Sequence, residues 1–172
     1  DLYLHPERLI SQAQFESYSS LIARRALKEP IAYITGYKEF MGLEFKVNER
    51  VLIPRPEMEI LVESCLSVID DMLSEPRSRP LAIDDMLREP PTRPVTVVDL
   101  CCGSGAVGLS ILRLLPEAFA KADGAARGVS PRAKVILTDI SPDALNVAKQ
   151  NAEMLGVLAQ VEFLFGDGFE PL

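Results

Sequence analysis

The chain has 172 residues, 48% of them hydrophobic and 25% charged, which suits one domain with an appendage built around an apolar core. Its formal net charge of −7 argues against non-specific binding to nucleic acid, which depends on lysine and arginine to neutralise phosphates. Three cysteines and one histidine exclude a disulfide framework and a four-ligand zinc site, and we predict no metal site. We expect a cytoplasmic protein with no membrane span and no signal peptide.

The chain is predicted to start with a helix and a β-hairpin. Ser11 and Gln14 form the pattern of a capping box, and apolar residues then recur at helical spacing until Pro30 stops the run. Alternating apolar and polar residues over 39–47 predict two short strands joined by a turn that contains Gly42. We therefore expect a helical unit followed by a hairpin.

A proline-rich linker and a second helix are predicted next. Residues 51–56 should be extended, because each proline restricts the residue before it. The helix is expected to bury one apolar face, formed by Leu61, Cys65, Val68, Ile69 and Met72. Residues 69–76 recur at 83–90, and two such short copies are too few for a solenoid. We interpret the segment as a duplicated surface connection, with a proline-spaced partner-docking element as the alternative.

Strands and helices alternate after residue 94. The predicted strands are 95–100, 133–138 and 160–165, and the predicted helices are 106–115 and 142–155. The second of these helices has Ser141 as its N-cap and Gly156 just past its end. Because a helix joins each strand to the next, the pattern predicts an α/β fold with a parallel sheet and right-handed crossovers.

A glycine-rich turn, G-x-G-x-x-G over 103–108, follows the first of these strands and opens a helix. Its glycines allow close approach of a ligand to the backbone, and the helix N-terminus offers free N–H groups. Both a dinucleotide and S-adenosylmethionine fit such a turn. A dinucleotide requires an acid roughly 20 positions further on. The next acid at a strand end, Asp139, lies farther away, although an intervening loop can account for the delay.

Three acids lie at the ends of three successive predicted strands, at positions 99, 139 and 167. Asp99 would repel a pyrophosphate but suits the ammonium group of S-adenosylmethionine. Asp139 can accept hydrogen bonds from both ribose hydroxyls, and Asp167 can accept one from the adenine amino group. Aspartate is also common at strand ends for turn reasons alone. The three acids together with the glycine turn favour S-adenosylmethionine over NAD.

Several segments resemble known methyltransferases. Residues 99–106 and 138–145 resemble the first two motifs of class I S-adenosylmethionine-dependent methyltransferases. A more specific resemblance, to the HemK/PrmC family of protein-(glutamine-N5) methyltransferases, is found at 29–36, 39–43 and 51–59. The resemblance implies a Rossmann-like class I sheet, of which this chain holds the first half only, preceded by a helical remnant and a β-hairpin. It also implies methylation of the glutamine in the Gly-Gly-Gln loop of peptide-chain release factors.

The resemblance further implies two groups of site residues. The cofactor-binding residues would be Asp99, Cys101, Cys102, Gly103, Ser104, Gly105, Asp139, Asp167 and Gly168. The substrate-binding residues would be Leu52, which walls the glutamine pocket, Pro54 and Arg55. We expect Arg55 to pair with Glu57 or Glu59 and so to hold its loop. Cys101 stands where the family usually has glycine, so a side chain must fit where the backbone meets the cofactor.

The family's catalytic signature, Asn-Pro-Pro-Tyr, follows a fourth strand, and this chain ends at Leu172 without it. We therefore predict no catalytic residue in this chain. We expect it to be a fragment that is truncated at both ends relative to the family and that is inactive alone. Its first strand should then have an open edge that promotes self-association. The alternatives are a methyltransferase of a ribosomal-protein glutamine or a nucleic-acid adenine, a non-catalytic cofactor- or partner-binding fragment, and an NAD-dependent oxidoreductase.

Four segments are predicted along the chain. They are a remnant of a helical substrate-recognition domain (1–30), the hairpin and Pro-Arg-Pro linker (31–57), a helix with the duplicated proline-rich connection (58–94) and the N-terminal half of the methyltransferase domain (95–172).

Overall fold

The computed structural model describes residues 9–73, 95–123 and 133–172. The predicted duplicated connection lies outside the described residues, apart from residues 69–73, which end a helix. None of the helices in these three ranges combines the length and the apolar character required to cross a membrane.

Helices and strands follow the predicted order, with one short additional helix, Ile31–Thr35, before the hairpin. The helices are α1 (Gln12–Ala26), α2 (Ile31–Thr35), α3 (Glu59–Leu73), α4 (Ala106–Asp123) and α5 (Pro142–Met154), with 3-10 turns at Pro56–Met58 and Leu158–Gln160. The strands are β1 (Tyr37–Phe40), β2 (Leu43–Lys46), β3 (Val95–Leu100), β4 (Ala133–Asp139) and β5 (Val161–Phe165). Helix α4 is longer than predicted, because residues with high helix propensity follow Pro116.

The predicted capping box starts α1. The hydroxyl of Ser11 accepts the backbone N–H of Gln14 at 3.2 Å, and the Gln14 side chain accepts the Ser11 N–H at 2.9 Å. The helix ends at Ala26 and does not run to Pro30, because Lys28 adopts a left-handed φ of 68°. Pro30 instead serves as the N-cap of α2.

The hairpin formed by β1 and β2 is confirmed. Its two turn residues, Met41 and Gly42, have φ angles of 54° and 72°, and two positive φ angles are typical of a tight type I′ turn. The carboxylate of Glu39 accepts the Gly42 N–H at 2.7 Å. Glu59 at the start of α3 accepts the Met41 N–H at 3.1 Å. These bonds attach the hairpin turn to α3.

The predicted buried face of α3 is partly wrong. Val62 and Ile69 are buried, and Cys65 and Leu66 pack beside them. Three residues expected on that face, Leu61, Val68 and Met72, are 51%, 52% and 64% exposed. Apolar residues occur in adjacent pairs along this helix, so periodicity alone does not determine which of two neighbouring faces is buried. Packing of α3 against α4 selects the face that contains Val62.

The second sheet is parallel, as predicted, with the strand order β3-β4-β5. Strand β4 lies in the middle and buries Val135 and Leu137 completely. Strand β3 pairs with β4 alone within the described residues, so its other edge is open as expected, and Val98 is 40% exposed. Helices α4 and α5 both pack on the face of β4 that carries Val135 and Leu137.

Gly108 allows α4 to lie close to this sheet. A Cβ atom at this position would lie 2.7 Å from Leu137 Cδ2 and 2.9 Å from Val135 Cγ1, both on fully buried side chains. We expect Gly108→Ala to lower the free energy of unfolding by about 1–2 kcal/mol, because overpacking outweighs the gain in helix propensity.

Urea unfolding measures this change. Ser110→Ala, on the same helix, is the matched control, since the buried Ser110 hydroxyl has no hydrogen-bond partner in the described part of the chain. The control should be neutral or stabilising. A Gly108→Ala variant as stable as the unaltered chain would contradict the packing argument.

Candidate functional site

The candidate site lies at the carboxyl ends of β3, β4 and β5, where the glycine-rich turn leads into α4. Parallel strands bring their carboxyl ends to one edge of a sheet, and ligands of open α/β sheets bind in the crevice there. Asp99 belongs to the end of β3, Asp139 ends β4, and Asp167 follows β5. The sheet therefore brings the three predicted acids to the same edge.

The turn over residues 101–105, called the glycine loop below, is anchored by backbone hydrogen bonds. The Cys102 N–H donates to the Thr138 carbonyl at 2.9 Å, and the Gly105 N–H donates to the Cys102 carbonyl at 2.8 Å. Gly103 and Gly105 have φ angles of 55° and 75°. A Cβ atom at Gly103 would meet nothing within 4 Å, whereas one at Gly105 would lie 3.0 Å from Leu109 Cδ1. Gly103 thus faces open space, and Gly105 permits packing.

Asp139 connects three elements at the centre of the site. One carboxylate oxygen accepts the Gly103 N–H and the other accepts the Ser141 N–H, each at 2.9 Å. The Ser141 hydroxyl in turn caps α5 by accepting the Ala144 N–H. Asp139 is only 9% exposed. The carboxylate therefore ties the glycine loop and the start of α5 to the end of β4, and each oxygen retains a further acceptor direction.

Asp99 lies behind the first turn of α4. Its Oδ2 atom accepts the Gly108 N–H at 2.9 Å. Burial raises the pKa of the Asp99 carboxyl from 3.8 to about 6; the Gly108 N–H opposes this shift and the charge of Asp139 adds to it. At neutral pH the group is mainly ionised, and its second oxygen can accept from a cationic ligand.

The segment after β5 joins the same edge through its backbone. The Gly166 N–H donates to the Asp139 carbonyl at 3.2 Å. Asp167 comes next and its side chain is exposed, and Gly168 has a φ of 52°. The carboxylate of Asp167 is thus accessible to a ligand at this end of the sheet.

The two neighbouring cysteines of the glycine loop differ in exposure. Cys101 is exposed, whereas Cys102 is buried. Burial raises the pKa of the Cys102 thiol, and the charges of Asp99 and Asp139 raise it further. A neutral buried thiol is a poor nucleophile, so Cys102 contributes its backbone to the loop. In the described ranges, no cluster of histidine, cysteine, aspartate and glutamate is arranged to hold a metal ion.

The predicted substrate loop packs beside the start of α5. Val51 is buried with Val47 against Ala144 and Val147 of α5, and its carbonyl accepts the Tyr33 hydroxyl at 2.7 Å. The residues that follow differ in exposure: Leu52 is 65% exposed, Pro54 is buried and Arg55 is exposed. The loop therefore presents Leu52 and Arg55 to solvent near the helix that begins after Asp139.

The predicted pairing of Arg55 is wrong. Arg55 forms no ion pair with Glu57 or Glu59 within the three described ranges. Glu59 instead accepts the backbone N–H of Met41, because the hairpin turn lies against the start of α3. The hairpin, the Tyr33 hydroxyl and the Val51 cluster hold the linker in place of this ion pair.

Asn151 is a site-forming residue that sequence reasoning missed. It is fully buried on α5 and bonds to both Lys46 in the hairpin and Ser104 in the glycine loop. The available signal was an amide side chain on the face of α5 that otherwise carries alanine and valine. Its partners are distant in sequence and could not be read from that pattern.

Cys101 adopts a left-handed backbone conformation, with a φ of 56°. This conformation costs a residue with a Cβ atom about 1–2 kcal/mol, and glycine adopts it freely. We expect Cys101→Gly to raise the free energy of unfolding by about 1 kcal/mol, which chemical denaturation measures. Gly103→Ala is the inverse control, since its Cβ would meet only open space and would add only backbone strain. A loss of stability in Cys101→Gly would contradict this explanation.

Comparisons with known proteins agree with the fold. The family model described as PrmC N-terminal domain matches residues 1–36, and that described as Methyltransferase domain matches residues 92–172. A release factor glutamine methyltransferase of Moorella thermoacetica is 37% identical over 96% of this chain and 46% of its own length. The corresponding protein of Leptospira interrogans is 36% identical over 98% of this chain and 47% of its own length.

A bifunctional methyltransferase of Rickettsia felis is 32% identical over 99% of this chain and 31% of its own length. The chain thus spans about half the length, or less, of these curated relatives. The predicted resemblance to the HemK/PrmC family and the Rossmann-like fold class are confirmed. With a segment that matches the PrmC N-terminal domain followed by one that matches a methyltransferase domain, the chain is similar along nearly all of its length to the release factor glutamine methyltransferases of the HemK/PrmC family.

Proposed function

We propose that this chain binds S-adenosylmethionine at the carboxyl ends of β3, β4 and β5, and that the whole protein methylates a glutamine side-chain amide in a peptide-chain release factor. The observation that carries the cofactor site is the position of Asp99 and Asp139. They lie at the ends of adjacent parallel strands, and each accepts a backbone N–H from the glycine loop or from the helix that follows it.

The shape and charge of the site suit this cofactor. Gly103 faces open space, so a ligand can approach the backbone of the loop. The free oxygen of Asp99 suits an ammonium group, and the outward acceptor directions of Asp139 suit two ribose hydroxyls. The proposed cofactor-binding residues are Asp99, Cys101, Cys102, Gly103, Ser104, Gly105, Asp139, Asp167 and Gly168.

The role of this chain in the reaction would be alignment. S-adenosylmethionine, when bound, supplies a methyl group on a sulfonium, which has an excellent leaving group. Transfer therefore requires positioning of the acceptor more than acid-base catalysis. Asp99 and Asp139 would orient the two ends of the cofactor, while Leu52, Pro54 and Arg55 would line the path of the glutamine. We assign no catalytic residue in this chain, which contains no Asn-Pro-Pro-Tyr sequence.

The choice of substrate rests on the relatives and on the linker. Two of the relatives described above are named release factor glutamine methyltransferases. Leu52 and Arg55 are exposed on a loop held by Tyr33 and by the Val51 cluster, so their side chains are free to contact a protein substrate. We propose that 1–30 belongs to a helical substrate-recognition domain, 31–57 to the hairpin and Pro-Arg-Pro linker, 58–94 to a helix and the duplicated proline-rich connection, and 95–172 to the N-terminal half of the methyltransferase domain.

Calorimetric titration tests the cofactor. We expect S-adenosylhomocysteine to bind the chain and NAD not to bind, because Asp99 repels a pyrophosphate. Preference for NAD would overturn the methyltransferase assignment for this site, and failure to bind either ligand would overturn the proposed cofactor site.

A methyl-transfer assay of the whole protein tests the substrate. Labelled methyl groups should enter a release factor with Gly-Gly-Gln but not its Gly-Gly-Ala variant. Equal labelling of both would contradict the glutamine assignment.

We also propose that the chain self-associates through β3. The edge of β3 that faces away from β4 has no strand partner within the described residues, and Val98 is exposed beside it. An open apolar edge is a template for pairing with another chain. Sedimentation velocity over a range of concentrations should show a dimer or larger species, and Val98→Lys should shift it toward monomer. A monomer at every concentration would contradict this proposal.

A further inference from the structure

Asn151 is buried inside the molecule and joins two parts of the chain that are distant in sequence. Its exposure is 0%, and it shares the buried face of α5 with Ala144 and Ala148. A buried amide group is costly unless its donors and its acceptor are all used. The hydrogen bonds of this side chain therefore reveal what holds it there.

All the polar atoms of Asn151 have partners. Its Nδ2 atom donates to the Ser104 carbonyl at 2.9 Å and to the Lys46 carbonyl at 3.1 Å. Its Oδ1 atom accepts the Lys46 N–H at 2.7 Å. The side chain thus bonds to Lys46 at the end of β2 as a neighbouring strand would, and uses its remaining donor for the glycine loop.

These partners determine which way the amide group points. The reverse orientation would place the carbonyl oxygen of Asn151 against the carbonyl oxygen of Ser104, and its NH2 group against the N–H of Lys46. Both contacts would be repulsive. The two bonded segments therefore hold the amide in one orientation, and the amide holds both segments.

The glycine loop depends on such support. Its glycines have positive φ angles, so the loop forms no helix or strand ladder of its own, and Ser104 is only 3% exposed. Without Asn151, the buried Ser104 carbonyl would lose the hydrogen bond that it accepts from the Asn151 side chain. Beyond Lys46, the chain continues to Val47 and to Val51, which lie together against α5 and precede Leu52.

We propose that Asn151 is a positioning residue that couples the glycine loop to the hairpin and, through the hairpin, to the linker that carries Leu52. Occupation of the cofactor site would then stabilise the substrate loop, and disturbance of the hairpin would weaken cofactor binding. The inference rests on the proposed function, since it assigns the glycine loop to the cofactor and the linker to the substrate.

Amide hydrogen exchange measured by NMR tests the coupling without ligand. Asn151→Ala should accelerate exchange at Lys46 and at residues 103–105 together, by at least about tenfold beyond the control. The control is Val62→Ala, a buried residue of α3 that lowers stability without touching this network. If the exchange rates of residues 103–105 are the same in Asn151→Ala as in Val62→Ala, the proposal is overturned. Should Asn151→Ala not fold, Asn151→Ser, which keeps one hydroxyl donor, takes its place.

Ligand binding supplies a second readout. The dissociation constant for S-adenosylhomocysteine should rise at least about tenfold in the folded Asn151 variant and remain unchanged in Val62→Ala. Saturating S-adenosylhomocysteine should also slow exchange at Lys46 in the unaltered chain. A change in stability without a change in affinity would overturn the positioning role. A lack of binding by the unaltered chain would overturn the proposed cofactor site, and the exchange of the ligand-free variants would still decide the coupling.

Discussion

Replacing Asp139 by alanine is expected to lower both the stability of the fold and the affinity for S-adenosylhomocysteine. The carboxylate accepts the N–H groups of Gly103 and Ser141, and the residue is almost fully buried. Its removal leaves two donors without an acceptor, and each costs about 1–3 kcal/mol. We expect the free energy of unfolding to fall by about 2–6 kcal/mol. The affinity for S-adenosylhomocysteine should fall at least about tenfold, because one lost charge-assisted hydrogen bond to the ribose is worth about 1.5–3 kcal/mol and about 1.4 kcal/mol corresponds to a factor of ten.

Two measurements separate these effects. Urea unfolding reports the stability, and calorimetric titration at low temperature reports the affinity of the molecules that remain folded. Asp143→Ala is the matched control. Asp143 is an exposed acid in the first turn of α5, and it pairs with Arg50 at 3.3 Å. The control should change stability by less than about 1 kcal/mol and leave the affinity unchanged. An Asp139→Ala variant with unaltered affinity would remove Asp139 from the proposed ribose site.

Replacing Asp99 by asparagine is expected to stabilise the chain at neutral pH while it weakens cofactor binding. Burial raises the pKa of the Asp99 carboxyl to about 6, so the ionised group is destabilised in the folded state. A pKa near 6 in place of 3.8 corresponds to on the order of 3 kcal/mol of folding free energy. Asparagine carries no charge, and its oxygen can still accept the Gly108 N–H.

The sign of the pH dependence follows from this raised pKa. Between about pH 4 and 6 the folded state holds a proton on Asp99 that the unfolded state has lost, so this group's contribution to stability falls as the pH rises. Above about pH 6 both states have lost the proton and the contribution is constant. The unfolding free energy of the unaltered chain minus that of Asp99→Asn should therefore decrease across pH 4–6 and level off above it.

Affinity should follow the opposite trend. An ammonium ligand requires ionised Asp99, so binding of S-adenosylhomocysteine should strengthen as the pH rises toward and through about 6. In Asp99→Asn the affinity should be at least about tenfold lower at pH 7 and independent of pH in this range. A variant that binds as tightly as the unaltered chain would show that Asp99 serves only to hold α4.

Much of this fold follows from local sequence. The capping box at Ser11, the hairpin turn at Gly42 and the N-cap at Ser141 are formed by residues within a few positions of one another. Such short-range preferences act before any tertiary contact exists, so the sequence pattern predicts them. The alternation of strands and helices after residue 94 likewise determined a parallel sheet, and with it the edge at which the three acids meet.

Long-range packing decided the rest. The apolar pairs of α3 allow two neighbouring faces, and only contact with α4 selects the one that contains Val62 and Ile69. Arg55 has nearby acids in sequence, yet the hairpin turn takes the carboxylate of Glu59. The bonds of Asn151 to Lys46 and Ser104, and the two backbone partners of Asp139, join segments that no local pattern relates. The residue types for a cofactor site are thus determined by the sequence itself. Which N–H each carboxylate accepts, and which loop each buried amide supports, is decided by the tertiary structure, because a buried polar group must find its partner wherever the packed chain supplies one.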